Sequence, residues 1–287
     1  MKNLFCLLTA ICLASVASAL GAEGPAPVEV TKEKKAVAEN KAFQVGEKLV
    51  YNIYWGLFVV GRASMEVKGI EKIDGHDCYH IVAEARTTGL GRILYTVDSK
   101  TESWLDVDEL CARKYSEDRT EGKTRHNDEF HYDYGNKKIV VKHRDTGKEE
   151  SFPLEEPVCD AISLLYAART LTLNLNESAT LTCNDGANNY QVCIKPDEQL
   201  QMKAKGVGDA PAVRVEPTPT LKMVAKNGGR MWFWISDDER HLPIIAVSKM
   251  KIGSCKLELM EANPPYKKEP LKPGPKTNFG PASQPSP

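Results

Sequence analysis

The stretch Leu57-Phe58-Val59-Val60-Gly61-Arg62-Ala63-Ser64-Met65-Glu66-Val67-Lys68-Gly69-Ile70 reads as one long β-strand. Val59, Gly61, Ala63, Met65 and Val67 fall on one face, the period of two that a strand with one buried face imposes. Working outward, residues 49–55 are strand-like and Gly56 punctuates them. Asp74-Gly75 marks a turn, after which Tyr79, Ile81 and Ala83 alternate. Residues 93–107 form another long candidate strand, followed by shorter ones near 111–118, 125–133 and 138–143. Tyr134-Gly135-Asn136 and Asp145-Thr146-Gly147 suit hairpin turns.

One helix interrupts the pattern. Pro157-Val158-Cys159-Asp160 leads into Ala161-Ile162-Ser163-Leu164-Leu165-Tyr166-Ala167-Ala168-Arg169. The Asp160 carboxylate can accept the free N–H groups of the first turn, and the segment is apolar on nearly every side, so it should be buried. Strands resume near 178–183, 190–195, 198–204, 211–216, 230–236, 242–251 and 254–261. The expected fold is all-β, mainly antiparallel, with one buried helix, as a long curved sheet or an incomplete β-barrel.

The ends read differently. Met1-Lys2-Asn3, an apolar run of about 13 residues over 4–16 and the small residues Ala17-Ser18-Ala19 have the three parts of a secretory signal. The run is shorter than the roughly 20 residues that span a bilayer. Cys6 and Cys12 follow Phe5 and Ile11, not the small residues of a lipid-attachment site. Cleavage is expected after Ala19, with a periplasmic or secreted destination and no transmembrane segment in the processed chain. Residues 20–42 read as a mobile charged leader, 43–262 as a single β-rich domain and 263–287 as a Pro/Lys-rich disordered tail.

The formal net charge is −1, with no basic stripe to hold nucleic acid and no acidic block for a polycation. Beyond the signal lie Cys78, Cys111, Cys159, Cys183, Cys193 and Cys255. In an oxidising compartment this even number suggests disulfides, with 15 possible full connectivities. Strand parity places Cys183 and Cys193 on opposite faces of their hairpin, which argues against that pair. The remaining pairings stay open.

Four segments together resemble a family of bacterial envelope proteins, domain of unknown function 3108. They are Val45-Gly46-Glu47-Lys48-Leu49-Val50-Tyr51 continuing through Trp55 to Gly61-Arg62-Ala63, Val97-Asp98 through Ser103-Trp104-Leu105-Asp106, the helix 159–169, and Trp234-Ile235-Ser236-Asp237-Asp238-Glu239-Arg240-His241-Leu242-Pro243 followed by Gly253-Ser254. The resemblance implies an exported β-rich domain and brings no activity, cofactor or catalytic residue with it.

Candidate functional residues divide by chemistry. His76, Cys78 and His80 share a strand face and offer zinc-type ligands, but alternate residues are about 7 Å apart, stretched for one ion. No metal and no cofactor is therefore expected. Asp237-Asp238-Glu239 could supply acid–base carboxylates, but the run reads better as a capped turn with an Asp paired to Arg240. Ser163, Tyr166 and Arg169 share a helix stripe; Arg169 could grip an anionic headgroup, or sit buried against a strand carboxylate. Trp232 and Trp234 share one face of a strand whose other face carries Met231, Phe233 and Ile235. Trp55 and Trp104 could join the same wall. No nucleophile elbow, zinc-protease motif, phosphate loop or dinucleotide fingerprint occurs.

The expected function is a non-catalytic periplasmic binding or carrier module for a lipid, amphiphile or glycan, with Arg169, Tyr166, Trp232, Trp234 and Trp55 as the ligand-binding residues. An envelope assembly or scaffold protein acting through protein contacts is the alternative. A hydrolase built on Asp237 or Asp238 stands behind both.

Overall fold

A computed structural model describes residues 40–175, 177–218, 230–250 and 253–266. The expected signal, most of the charged leader and nearly all of the Pro/Lys tail lie outside the described residues. The elements are β1 (Lys48–Trp55), β2 (Phe58–Ile73), β3 (His76–Thr87), α1 (Leu90–Leu94), β4 (Val97–Asp106), β5 (Ala112–Glu121), β6 (Thr124–Asp133), β7 (Lys138–His143) and β8 (Glu149–Pro153). They continue as α2 (Ala161–Arg169), β9 (Ala179–Asn184), β10 (Asn189–Ile194), β11 (Pro196–Ala204), β12 (Gly208–Val215), β13 (Arg230–Ser236), β14 (Pro243–Met250) and β15 (Gly253–Asn263).

Thirteen strands make one antiparallel sheet in the order β11-β12-β13-β14-β15-β1-β2-β3-β4-β5-β6-β7-β8. The edge strands β8 and β11 do not pair, so the sheet curves without closing. The first strand among the described residues, β1, sits inside the sheet because β15 returns to pair with it, from Lys48↔Asn263 to Trp55↔Cys255. β9 and β10 form a separate hairpin. That hairpin is tied to the segment before α2 by a parallel bridge, Cys159↔Cys183.

The inward residues of β1, β2 and β3 pair as the period of two demands: Leu49↔Met65, Tyr51↔Ala63 and Ile53↔Gly61, then Met65↔Ala83 and Val67↔Ile81. α2 lies on this inner surface. Asp160 caps it, its carboxylate accepting from the Ile162 and Ser163 amides at 2.7 and 2.9 Å and from the Ser103 hydroxyl at 2.6 Å. Ile162 and Tyr166 join the core of β2–β7, whereas Leu164 and Ala167 pack with Val192, Ile194 and Val213.

Several local readings change. Residues 93–96 are not strand: Gly89 turns the chain at φ 52°, the five-residue α1 follows, and β4 begins at Val97. β8 (Glu-Glu-Ser-Phe-Pro) escaped the pattern because an exposed edge strand needs no apolar alternation. The fold also reaches into both ends assigned to leader and tail. Ala42 is buried, and Tyr266 packs against the core of β1, β14 and β15.

Of the six cysteines among the described residues, five are buried and Cys193 is half-buried, and no disulfide joins Cys78, Cys111, Cys159, Cys183 and Cys193 to one another. Cys183 stands opposite Tyr190 and Cys193 opposite Thr180, on opposite faces of the hairpin. Cys78 is fully buried, not on a solvated strand face; burial pushes its thiol up to about 11.

Candidate ligand-binding site

Between α2 and the inner face lies a cavity of about 50 Å³. Its wall comes from Tyr51 on β1, Ala63 and Met65 on β2, Ala83 on β3, Ile162 and Leu165 on α2, Met231 and Phe233 on β13, Ala246 and Ser248 on β14 and Leu257 on β15. The small inward residues Ala63, Ala83 and Ala246 leave this space unfilled. The Tyr51 hydroxyl donates to the Pro243 carbonyl at 3.0 Å. Ser248 Oγ is buried in the wall without a hydrogen-bond partner among the described residues.

The residues singled out from sequence are distributed around this cavity rather than in its wall. Arg169 is 1% exposed. Its Nη1 donates to Glu47 Oε1 at 2.6 Å, its Nη2 to Glu47 Oε2 at 3.0 Å and to the Ala42 carbonyl at 2.7 Å, and its Nε to the Arg240 carbonyl at 3.2 Å. Tyr166 is fully buried and sets its ring 5.0 Å from the Arg169 guanidinium and edge-on to Phe43. The structure brings these two together as one buried knot. Trp232 and Trp234 occupy the face of β13 opposite to Met231 and Phe233. Trp232 donates to Glu216 at 3.1 Å and lies under the Arg230 guanidinium. Trp234 packs with Ile244 and Ile245. Trp55 closes the end of the β1–β2 hairpin, its ring against Gly253.

The acidic turn resolves into separate contacts. Asp238 Oδ1 accepts from Ser236 Oγ at 2.7 Å and from the Arg240 and His241 amides at 3.1 Å each. Asp237 takes Gln199, and Glu239 pairs with Lys41. Arg240 pairs with Glu47 at 3.2 Å instead of with an Asp of its own turn. His80 stacks on Trp104 at 4.6 Å and contacts Glu71 and Glu102, while His76 contacts Asp106.

Sequence reading missed a second polar region on the inner surface. Glu117, Arg119 and Glu121 on β5 are all buried and face His126 and Asp128 on β6. Arg119 binds Glu121 and lies 3.7 Å from Glu117. Burial pushes the Glu117 carboxyl up to about 7, partly offset by Arg119. Burial, with Arg119 adding to it, lowers the pKa of His126. Ligand atoms of Glu117, His126 and Asp128 lie within 4.8 Å of one another. Arg119 already supplies a cation there, and Asp128 is held by His143 at 2.7 Å, so the group reads as an ion-pair network. The other such group, Asp106, Glu109 and Cys111, is likewise occupied by Arg113, at 2.8 Å from Asp106 and 2.9 Å from Glu109. The only sequence sign of the inner network was a strand polar on both faces.

A long antiparallel sheet curled around one capped helix defines the class. The model of the family described as protein of unknown function (DUF3108) matches residues 50–260, and the chain belongs to that family. No curated protein matches the sequence at a significant level. Among solved structures, a β-barrel-like protein of domain of unknown function DUF1849 from Brucella abortus aligns at TM-score 0.48 and 10% identity. The alignment covers 76% of this chain and 97% of that one. A candidate exported protein with a YmcC-like fold from Bacteroides fragilis aligns at TM-score 0.28 and 10% identity, covering 76% and 96%. A candidate lipoprotein from Parabacteroides distasonis aligns at TM-score 0.28 and 10% identity, covering 76% and 95%. No function follows from likenesses at these levels. No helix among the described residues is long and apolar enough to cross a membrane.

Proposed function

We propose that the chain is a non-catalytic binding module of the cell envelope, exported by its amino-terminal segment, that takes up the apolar end of an amphiphile. One observation carries this: the inner cavity is apolar and unfilled, and Ser248 Oγ stands in its wall without a partner. Protein interiors are normally packed to crystal density. Unfilled space of this size costs about 1 kcal/mol, and an unmet buried hydroxyl about 1–3 kcal/mol more. A ligand that fills the space and accepts from Ser248 would recover both terms.

The cavity is far smaller than the ~300 Å³ lower end of small-molecule sites. As it stands it admits only a chain terminus, and deeper entry requires α2 to shift. The unpaired edges β8 and β11 favour such movement, because no strand ladder crosses the gap between them. Arg169 and Tyr166 would then support the site by anchoring α2. A glycan would instead use the rings of Trp232, Trp234 and Trp55, which the apolar inner cavity does not favour.

Native mass spectrometry of the chain recovered without detergent tests the proposal. A reproducible extra mass that is lost in Ala246→Leu supports it. A clean apo mass in the parent chain, unchanged after incubation with a fatty acid or a lysophospholipid, overturns it.

A further inference from the structure

At one end of the curved sheet the apolar logic is inverted. Leu57 is 93% exposed, Phe58 66% and Val59 44%, all at the β1–β2 turn, and α1 beside them exposes Leu90 at 62%, Ile93 at 81% and Leu94 at 68%. In α1 the three apolar residues have the spacing i, i+3, i+4 of a face that normally packs inward. Here the inward position is Gly91, where a Cβ would meet the Val60 carbonyl oxygen at 2.1 Å. The Thr88 amide donates to that same carbonyl at 2.9 Å. The helix is thus pressed against β2 by its glycine and presents its apolar face to solvent. Scattered exposed hydrophobes are ordinary, but a contiguous group of six is an interaction surface.

Charge indicates what the surface meets. Residues 54–62 (Tyr54-Trp55-Gly56-Leu57-Phe58-Val59-Val60-Gly61-Arg62) and 86–95 (Arg86-Thr87-Thr88-Gly89-Leu90-Gly91-Arg92-Ile93-Leu94-Tyr95) contain three arginines and no acidic residue. Arg62 and Arg86 stand directly opposite each other on β2 and β3. Like charges so placed repel, and neither has an ion-pair partner among the described residues. Asp98 on β4 stands opposite Arg86 and is taken by Arg92 at 2.9 Å, and Glu84 is two residues further from the tip on β3. With Arg92 neutralised by Asp98, an apolar tip ahead of the two guanidinium groups of Arg62 and Arg86 matches a bilayer interface, with acyl chains outermost in contact and phosphates just behind.

We infer that the β1–β2 turn and α1 form a docking tip that inserts into the surface of an anionic phospholipid bilayer. This does not depend on what fills the inner cavity. Leu57, Phe58, Ile93 and Leu94 enter the interface, and Arg62 and Arg86 hold lipid phosphates.

The test is flotation of the full chain with vesicles of phosphatidylcholine plus phosphatidylglycerol and with vesicles of phosphatidylcholine alone. The parent chain should float with the mixed vesicles, and added salt should weaken that binding. Leu57→Ser/Phe58→Ser and, separately, Ile93→Ser/Leu94→Ser should each weaken partition by about tenfold or more. Arg62→Gln/Arg86→Gln should weaken partition into mixed vesicles by roughly tenfold and abolish most of its salt dependence. The four apolar positions project into solvent, so the unfolding midpoint should not move; Leu57→Lys alone serves if a double variant fails to fold. A parent chain that floats with neither vesicle overturns the inference. So does equal flotation of parent and both apolar variants, which assigns binding to another segment. A parent dimer that these substitutions dissociate, without flotation, assigns the tip to a second copy and also overturns it.

Discussion

Arg169 Nη1 lies 2.6 Å from Glu47 Oε1, both side chains 1% exposed, joining the last turn of α2 to the residue before β1 across 122 positions of chain. Arg169 also takes the carbonyls of Ala42 and Arg240, so one guanidinium ties together the entry to the sheet, the helix and the β13–β14 turn.

Removing one partner of a buried pair strands the other charge. Arg169→Met should therefore lower unfolding stability by about 3–5 kcal/mol in urea titration. Arg169→Met combined with Glu47→Gln should cost less than the sum of the single changes. If Arg169→Met left stability unchanged while abolishing ligand mass, Arg169 would be a ligand contact and not an anchor.

Ser248→Val removes the unpartnered hydroxyl and adds a methyl to the cavity wall. It should raise stability by about 1 kcal/mol while weakening retention of a lysophospholipid in native mass spectrometry. A loss of stability would mean that the hydroxyl is already satisfied.

Glu117 gives a pH signature. Its ordinary value is 4.5 and burial raises it to about 7 in the folded chain. The folded state therefore holds a proton that the unfolded state has released, and the contribution to stability is complete below about 4.5 and declines as pH rises through about 7. Thermal unfolding across this window should show the parent chain losing stability with rising pH. Glu117→Gln should show a shallower slope.

Asp160 caps α2 and receives Ser103 besides. Asp160→Ala should cost about 2 kcal/mol, the upper range for a helix cap. Ser103→Ala should cost less, because both amide contacts to the cap survive. Denaturant midpoints of the two variants decide the order.

Thiol labelling separates the cysteines. Burial pushes Cys111 up to about 12 and Cys78 up to about 11. In the reduced, folded chain Cys193 should react with maleimide first, since accessible thiols label ahead of buried ones. Peptide mapping locates the label. In the unreduced chain, Cys159 and Cys183 have the directly opposed backbones, so any link found should be theirs.

The strands and α2 were legible because they depend on local pattern. Alternation from Gly61 to Val67 determined a half-buried strand, although the register shift beside Ile53 buries Val60 and exposes Val59, and Asp160 before an all-round apolar segment determined a capped, buried helix. The same locality hid α1, where Gly89 turns the chain and Gly91 lets the helix approach β2, and β8, whose edge position relaxes the pattern. The tertiary structure alone decided which side of β13 meets the cavity, since both of its faces are apolar. It also decided that Arg169 meets Glu47 and that Arg119 is buried beside Glu117. These are encounters between residues of different elements, and side-chain period carries no information about them. The return of β15 to β1, which places these two strands side by side inside one sheet, belongs to the same kind: strand pairing across some 200 residues is set by global packing, not by any local signal.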